Sequence, residues 1–262
     1  MQMRAIKTDE AVDRRALEHK VKEMYQRVAE EPDGEFHFEM GRQLAERLGY
    51  PAADLDRIPA QSVDSFAGVG YHMDLADIRP GDVVLDLGSG SGMDTFIAAL
   101  KVGPRGRVLG LDMTEAQREK AKRLAKAAGI DNVSFHEGYI EDPPFEDNSV
   151  DVIISNGVIN LSAEKDRVFA AAARLLKPGG RLALSDIVTE KPLPAEVKCD
   201  ATLWAACIGG ALQQDDYRSA ITAGGLNVAK VRENPQYGFL TDSANGASKT
   251  WGVKSISLLA TR

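Results

Sequence analysis

Polar and apolar positions change texture three times along the chain. Over 8–29, Ala11, Val12, Leu17, Val21, Met24, Tyr25 and Val28 recur at helical spacing among charges, which predicts an amphipathic helix. Pro32-Asp33-Gly34 breaks that pattern, and the aromatic cluster Phe36-His37-Phe38 follows it. A second helix is expected over 40–48, stopped by Gly49-Tyr50-Pro51. The first 65 or so residues therefore read as a helical cover.

After Arg79-Pro80-Gly81-Asp82 the texture changes. Val83-Val84-Leu85 is an unbroken apolar run that ends in glycines, as a strand buried on both faces should. Helices over 96–102, 115–128 and 164–176 then alternate with strands over 108–111, 133–135, 150–154 and 181–184. The tail adds helices over 201–212 and 217–223 and strand-like runs over 228–231 and 253–259, which could pair as an antiparallel edge. Strands alternating with helices predict the α/β class, here a doubly wound, mostly parallel sheet of seven strands. No internal repeat or long linker interrupts it, so the expected organisation is an N-terminal lid over 1–65 and one ligand-binding domain over 66–262.

Composition narrows the function. With 44% hydrophobic and 27% charged residues the 262-residue chain is an ordinary globular mixture. Its 32 Lys and Arg against 39 Asp and Glu leave a net charge of −7, which argues against a nucleic-acid partner and leaves room for cationic ligands. Cys199 and Cys207 are too few for a disulfide scaffold and lack the spacing of a zinc site, so no metal is expected and a reducing cytoplasm is the simplest setting. The opening residues MQMRAIKTDEAVDRR have no apolar core, and no run of about 18 apolar residues follows. Neither secretion nor membrane association is expected.

The chemistry concentrates in Leu85-Asp86-Leu87-Gly88-Ser89-Gly90-Ser91-Gly92-Met93-Asp94, a glycine loop between a strand and a helix. Glycines at that junction let a ligand approach the backbone, with the helix N–H groups facing it. The next strand ends in Asp112, 24 residues after Gly88, a spacing that suits an acid holding a ribose diol. Dinucleotide loops favour G-x-G-x-x-G, whereas Gly88, Gly90 and Gly92 give G-x-G-x-G, with Met93 where the third glycine would fall. Asp86 beside the loop would repel a pyrophosphate and suit the ammonium and sulfonium of S-adenosylmethionine. A dinucleotide is the competing reading.

These residues, with the segment Glu137 to Phe145, the run Asn148-Ser149-Val150-Asp151-Val152-Ile153-Ile154-Ser155-Asn156 and Leu176-Lys177-Pro178-Gly179-Gly180, resemble class I S-adenosylmethionine-dependent methyltransferases. Val102-Gly103-Pro104, Asp112-Met113-Thr114, the stretch Ser155 to Leu161 and Cys207-Ile208-Gly209-Gly210-Ala211 are similar to their arsenite methyltransferase branch. The resemblance implies a Rossmann-like fold. It further implies that Asp86, Gly88 and Gly90 hold the methionyl end of the cofactor, that Asp112 takes the ribose and Met113 flanks the adenine. Ile140 and Glu141 would meet the other face and edge of that base, Asn156 would close the site, and Tyr25 would cover the cofactor.

Arsenite methyltransferases resembling this chain carry three cysteines that hold trivalent arsenic, which soft thiolates suit. Here only Cys207 stands at such a position, Gly157 occupies the second, and Phe66-Ala67-Gly68-Val69-Gly70-Tyr71-His72 offers no thiol for the first. A three-thiol arsenic site is therefore not expected. The acceptor is read as a small soft nucleophile (a thiol, a sulfide or a thiol-bound arsenical). The alternative is a carbon or oxygen centre of a small quinone-type molecule. Its pocket is expected to involve Phe36, His37, Phe38, Tyr71 and Trp204, with His72, Cys207 and Asn160 as catalytic candidates, His72 because imidazole titrates near neutrality.

Overall fold

The apolar runs assemble into one sheet. In the computed structural model, which describes residues 14–194, 197 and 208–262, the strands are β1 (Val83–Leu87), β2 (Arg107–Asp112), β3 (Val133–Glu137), β4 (Val150–Asn156), β5 (Leu176–Val188), β6 (Asn227–Glu233) and β7 (Lys254–Thr261). Their order is β3-β2-β1-β4-β5-β7-β6. Strands β1 to β5 pair in parallel, and β7 runs antiparallel to both β5 and β6. The two tail strands thus pair as expected, but β7 is inserted beside β5 and, of the two, only β6 lies at an edge of the sheet. Burial explains the placement: Ser255 to Leu258 are buried, whereas β6 has no buried residue.

The helices are α1 (Arg14–Glu30), α2 (Gly41–Leu48), α3 (Ala52–Leu55), α4 (Ala60–Asp64), α5 (Met73–Ala76), α6 (Met93–Val102), α7 (Glu115–Ala128), α8 (Lys165–Leu175), α9 (Gln214–Ala223) and α10 (Asp242–Trp251). Successive strand residues point to opposite faces, so Val84, Val108, Val152 and Ile154 pack with Phe96 and Ile97 of α6. Leu85, Ile153, Leu182 and Leu184 pack with Val168 and Phe169 of α8 and Tyr217 of α9. Covering both faces is what made β1 and β4 read as continuous apolar runs.

Helix α2 stops as the sequence predicts. Gly49 adopts φ 108 and its amide caps the carbonyls of Ala45 and Glu46. The helix expected over 201–212 is not found where it can be followed: 201–207 lie outside the described residues, and Ile208 to Leu212 form a turn and irregular chain. Gly209-Gly210 favours that turn over a helix. Helix α10 escaped prediction because its sequence, DSANGASKTW, lacks an apolar stripe and contains Gly246. The Thr241 hydroxyl fixes its start by accepting from the Ala244 amide at 3.2 Å. Among the described residues, no helix is long and apolar enough to cross a membrane.

Candidate active site

Strand order reverses at β1, which has β2 on one side and β4 on the other. Crevices at such reversals, beyond the carboxyl ends of the strands, are where α/β sheets take ligands. A cavity of about 500 Å³ lies there. Asp86 and Gly88 reach it from β1, Asp112 from β2, Ile140 and Glu141 from the chain after β3, and Asn156 from β4.

The loop after β1 is shaped by backbone that other residues would resist. Gly88 and Gly90 have φ of +72 and +52, and a Cβ on Gly88 would stand 2.4 Å from Cγ2 of Val158. The Asp112 carboxylate braces this loop: Oδ2 accepts from the Gly90 amide at 2.9 Å and Oδ1 from the Thr114 amide at 2.8 Å. The acid thus fixes the glycine turn and opens the following helix at once. Burial pushes its pKa up, and those two amides pull it back.

Behind the loop, Asp86 is 3% exposed and its Oδ2 accepts from the Thr95 hydroxyl at 2.6 Å. Burial, and next the charge of Asp94, raise its pKa well above the usual carboxylate range. Asp94 is itself buried, with Oδ1 accepting from the Tyr50 hydroxyl at 2.7 Å and Oδ2 from the Asn156 amide at 3.2 Å. That Asn156 Nδ2 also donates to the Gly70 carbonyl, and Oδ1 accepts from the Val69 amide at 2.8 Å. Asn156 therefore ties the end of β4 to the loop carrying Gly68 and Gly70.

Helix α1 crosses the mouth. Leu17 and Val21 pack against Met113, Leu161 and Ala163, and Leu17, Glu18, Val21 and Tyr25 line the cavity. Three attachments hold the helix down. The Gln117 amide donates to the Tyr25 carbonyl at 2.8 Å. Lys120, buried on α7, donates to the Ala29 carbonyl at 2.9 Å and to the Ser65 hydroxyl at 2.8 Å, and that hydroxyl donates to the Val28 carbonyl. At the outer edge, the Tyr139 hydroxyl donates to Glu18 at 2.7 Å and accepts from Lys22 at 2.9 Å.

Every residue expected to hold the cofactor lines this cavity: Tyr25, Asp86, Gly88, Gly90, Asp112, Met113, Ile140, Glu141 and Asn156. The acceptor-side expectations fare differently. His72 is fully buried and does not line the cavity. Its Nδ1 lies 3.4 Å from the Ser185 hydroxyl and its Nε2 has no partner. Burial pushes its pKa down, which favours the neutral imidazole. Asn160 is also fully buried and does not line the cavity; its backbone N–H donates to Asp186 at 2.9 Å and its backbone carbonyl accepts from Lys165.

Tyr71 stacks edge-on against Tyr50 at 4.8 Å, outside the cavity. Phe36, His37 and Phe38 back helix α1 instead of lining the cavity: Phe38 stacks on Tyr25 at 6.3 Å, with Phe36 and His37 packed on Phe38. Trp204 and Cys207, with Cys199, lie outside the described residues. The sequence reading missed Asp94, Gln117, Thr95 and Lys120. Asp94 follows the glycine loop in sequence as a second carboxylate; the others look like ordinary helix-surface residues.

The donor set fits a cationic nucleoside. Among the described residues lining the cavity, Glu18, Asp86, Asp94, Asp112, Glu141, Asp142 and Glu164 are acidic and only Arg167 is basic. A pyrophosphate would face that acidic wall, whereas an ammonium and a sulfonium would be stabilised by it. Ser89, buried in the wall, has a hydroxyl without a partner in the protein. A Rossmann-like sheet with an acid-lined glycine cradle at its reversal point is the architecture of the S-adenosylmethionine-dependent methyltransferase class.

Comparison with known proteins places the chain more closely. The methyltransferase domain family matches residues 78–225. The arsenite methyltransferase of Halobacterium salinarum is 42% identical over 187 residues, 71% of this chain and 48% of that protein. The arsenite methyltransferase of Aquipseudomonas alcaligenes is 45% identical over 168 residues, 62% of this chain and 48% of that protein. The chain thus spans about half the length of these curated relatives. An arsenic(III) S-adenosylmethionine methyltransferase from Chlamydomonas reinhardtii superposes with a TM-score of 0.64 at 31% identity, covering 85% of this chain and 74% of that one. The chain belongs to the methyltransferase domain family, in its arsenite methyltransferase-like branch.

Proposed function

We propose that this protein transfers a methyl group from S-adenosylmethionine to a small soft nucleophile: a thiol, a sulfide or an arsenical that arrives already bound to thiols. The observation that carries the reading is the acid-lined glycine cavity closed by α1, in a chain whose close relatives are arsenite methyltransferases. The bound cofactor supplies an electrophilic methyl carbon on a sulfonium that leaves as a neutral thioether. Charge therefore disperses as the bond breaks, and the protein has little new charge to stabilise.

What the chain contributes is position and dryness. Asp112 and Glu141 hold the nucleoside end and Asp86 the ammonium, while Met113 and Ile140 flank the base. Leu17, Val21 and Tyr25 exclude water from above. Holding two reactants in line can contribute about 7–11 kcal/mol in the best cases. Nothing in this wall serves as a histidine base, which favours an acceptor already nucleophilic at neutral pH.

The arsenic grip differs from the three-thiol pattern. Gly157 has φ +70, and a Cβ there would meet Val69 at 3.3 Å. A Cβ on Gly68 would stand 2.3 Å from the Phe66 ring. Both positions are built for the absence of a side chain, so an arsenical acceptor would bring its own thiols, with Cys207 as the one candidate thiol of this chain. A carbon or oxygen acceptor of the quinone type is the second reading.

The test is a methyl-labelled transfer assay against arsenite with excess small thiol, sulfide, small thiols and phenols. Label in an S- or As-methyl product, reduced in Cys207→Ser, is the expected result. Label only in phenolic ethers or ring carbons would move the assignment to the second reading, and label in none of them would overturn both.

A further inference from the structure

Two buried carboxylic groups, Asp86 and Asp94, face one cavity from adjacent turns, Asp86 at the end of β1 and Asp94 in the first turn of α6. Their hydrogen-bond partners are neutral: the Thr95 hydroxyl for Asp86, and the Tyr50 hydroxyl and Asn156 amide for Asp94. Among the described residues no lysine or arginine bonds to either of them. The other titratable groups within electrostatic reach are Asp112 across the loop, Tyr50, Tyr71 and the neutral His72, and none of these supplies positive charge. Burial without a cation, and next the charge of Asp94, push the Asp86 pKa well up, so in the empty cavity Asp86 favours its protonated form. A ligand that brings positive charge removes the reason for keeping it.

We propose that Asp86 and Asp94 form a charge-selecting cradle, in which Asp86 keeps its proton while the cavity is empty and releases it to solvent as the sulfonium form of the cofactor binds. The proton balance is simple: an acid and a carboxylate, net −1, become two carboxylates, net −2, around the added cation, and the proton passes to buffer. Asp94 is the new element, placed so that Tyr50 and Asn156 fix both of its oxygens. The demethylated product, S-adenosylhomocysteine, keeps the ammonium but has lost the sulfonium charge. The cradle therefore takes back part of its proton after transfer and holds the product less firmly than the donor. This inference rests on the cavity being the cofactor site.

Calorimetry of the full chain at pH 7 in two buffers of different ionisation enthalpy counts the protons. Adenosylmethionine is expected to release up to about one proton per site, and adenosylhomocysteine clearly fewer. In Asp94→Asn the release should vanish, and the affinity ratio of adenosylmethionine to adenosylhomocysteine should fall by about tenfold. Normal binding of both ligands by the wild-type chain with no proton exchange, or an unchanged affinity ratio in Asp94→Asn, would overturn the cradle. Binding of neither ligand would instead overturn the cofactor site itself. Should Asp94→Asn unfold, the proton count of the wild-type chain alone decides.

Discussion

Lys120→Met is the sharpest perturbation of the lid, because the methionine keeps the apolar stem and removes only the ammonium. That ammonium bonds the Ala29 carbonyl at 2.9 Å and the Ser65 hydroxyl at 2.8 Å, at the carboxyl end of α1 where carbonyls lack helical partners. A cation there also opposes the helix dipole. Hydrogen bonds to a charged group contribute about 1.5–3 kcal/mol each. Burying the ammonium, which pushes the Lys120 pKa down, offsets part of two such bonds. A net loss of about 1.5–3 kcal/mol would open the lid about 10–150-fold more often. Native-state hydrogen exchange reads this directly: amides of α1 should exchange faster by that factor, while those of β1 and β4 stay unchanged. Adenosylhomocysteine affinity should fall by no more than the same factor. Unchanged α1 protection, or loss of α1 and sheet protection together, would refute the role assigned to Lys120.

Three further outcomes follow from the same geometry. Gly88→Ala forces a Cβ to 2.4 Å from Val158 at a φ of +72, so denaturant unfolding should show a loss of about 1–3 kcal/mol and titration a loss of cofactor affinity; wild-type values for both would mean the loop yields freely. Burial raises the Asp186 pKa from 3.8 to about 6; between those values the folded chain holds a proton the unfolded chain gives up, so this group's contribution to stability is full below pH 4 and lost as pH rises through 6. Thermal unfolding of Asp186→Asn should lack that decline, and an identical pH profile would sink the assignment. A chain of residues 66–262 should keep the sheet by circular dichroism and lose methyl transfer, and a fully active truncation would show that the helical cover is dispensable.

The sheet was legible because its strands are buried on both faces, so Val83-Val84-Leu85 and Val150 to Ile154 stand out as apolar runs between amphipathic helices. The cofactor side was legible because its chemistry is local: Asp86, the three glycines and Asp112 fall within 27 consecutive residues of one strand–loop–helix–strand unit. The acceptor side was not, because it depends on tertiary placement. His72 and Asn160 carry suggestive side chains, yet the packing of the 66–72 loop under Asn156 and the bonds of Asn160 to Asp186 and Lys165 bury both. Phe36 and Phe38 were read as pocket walls and instead support Tyr25. Asp94 shows the reverse: a polar residue in the first turn of a helix reads as a routine helix start, and only the approach of Tyr50, 44 residues away, reveals a held carboxylate.

The central claim is that this cavity holds S-adenosylmethionine between Asp112 and Asp86 beneath α1. A crystal structure of the chain with adenosylhomocysteine tests it most directly. The ribose hydroxyls should lie on Asp112, the adenine between Met113 and Ile140, and the amino group on Asp86, with Tyr25 closed over the ligand. A ligand bound elsewhere, or a saturated crystal with this cavity empty, would contradict it.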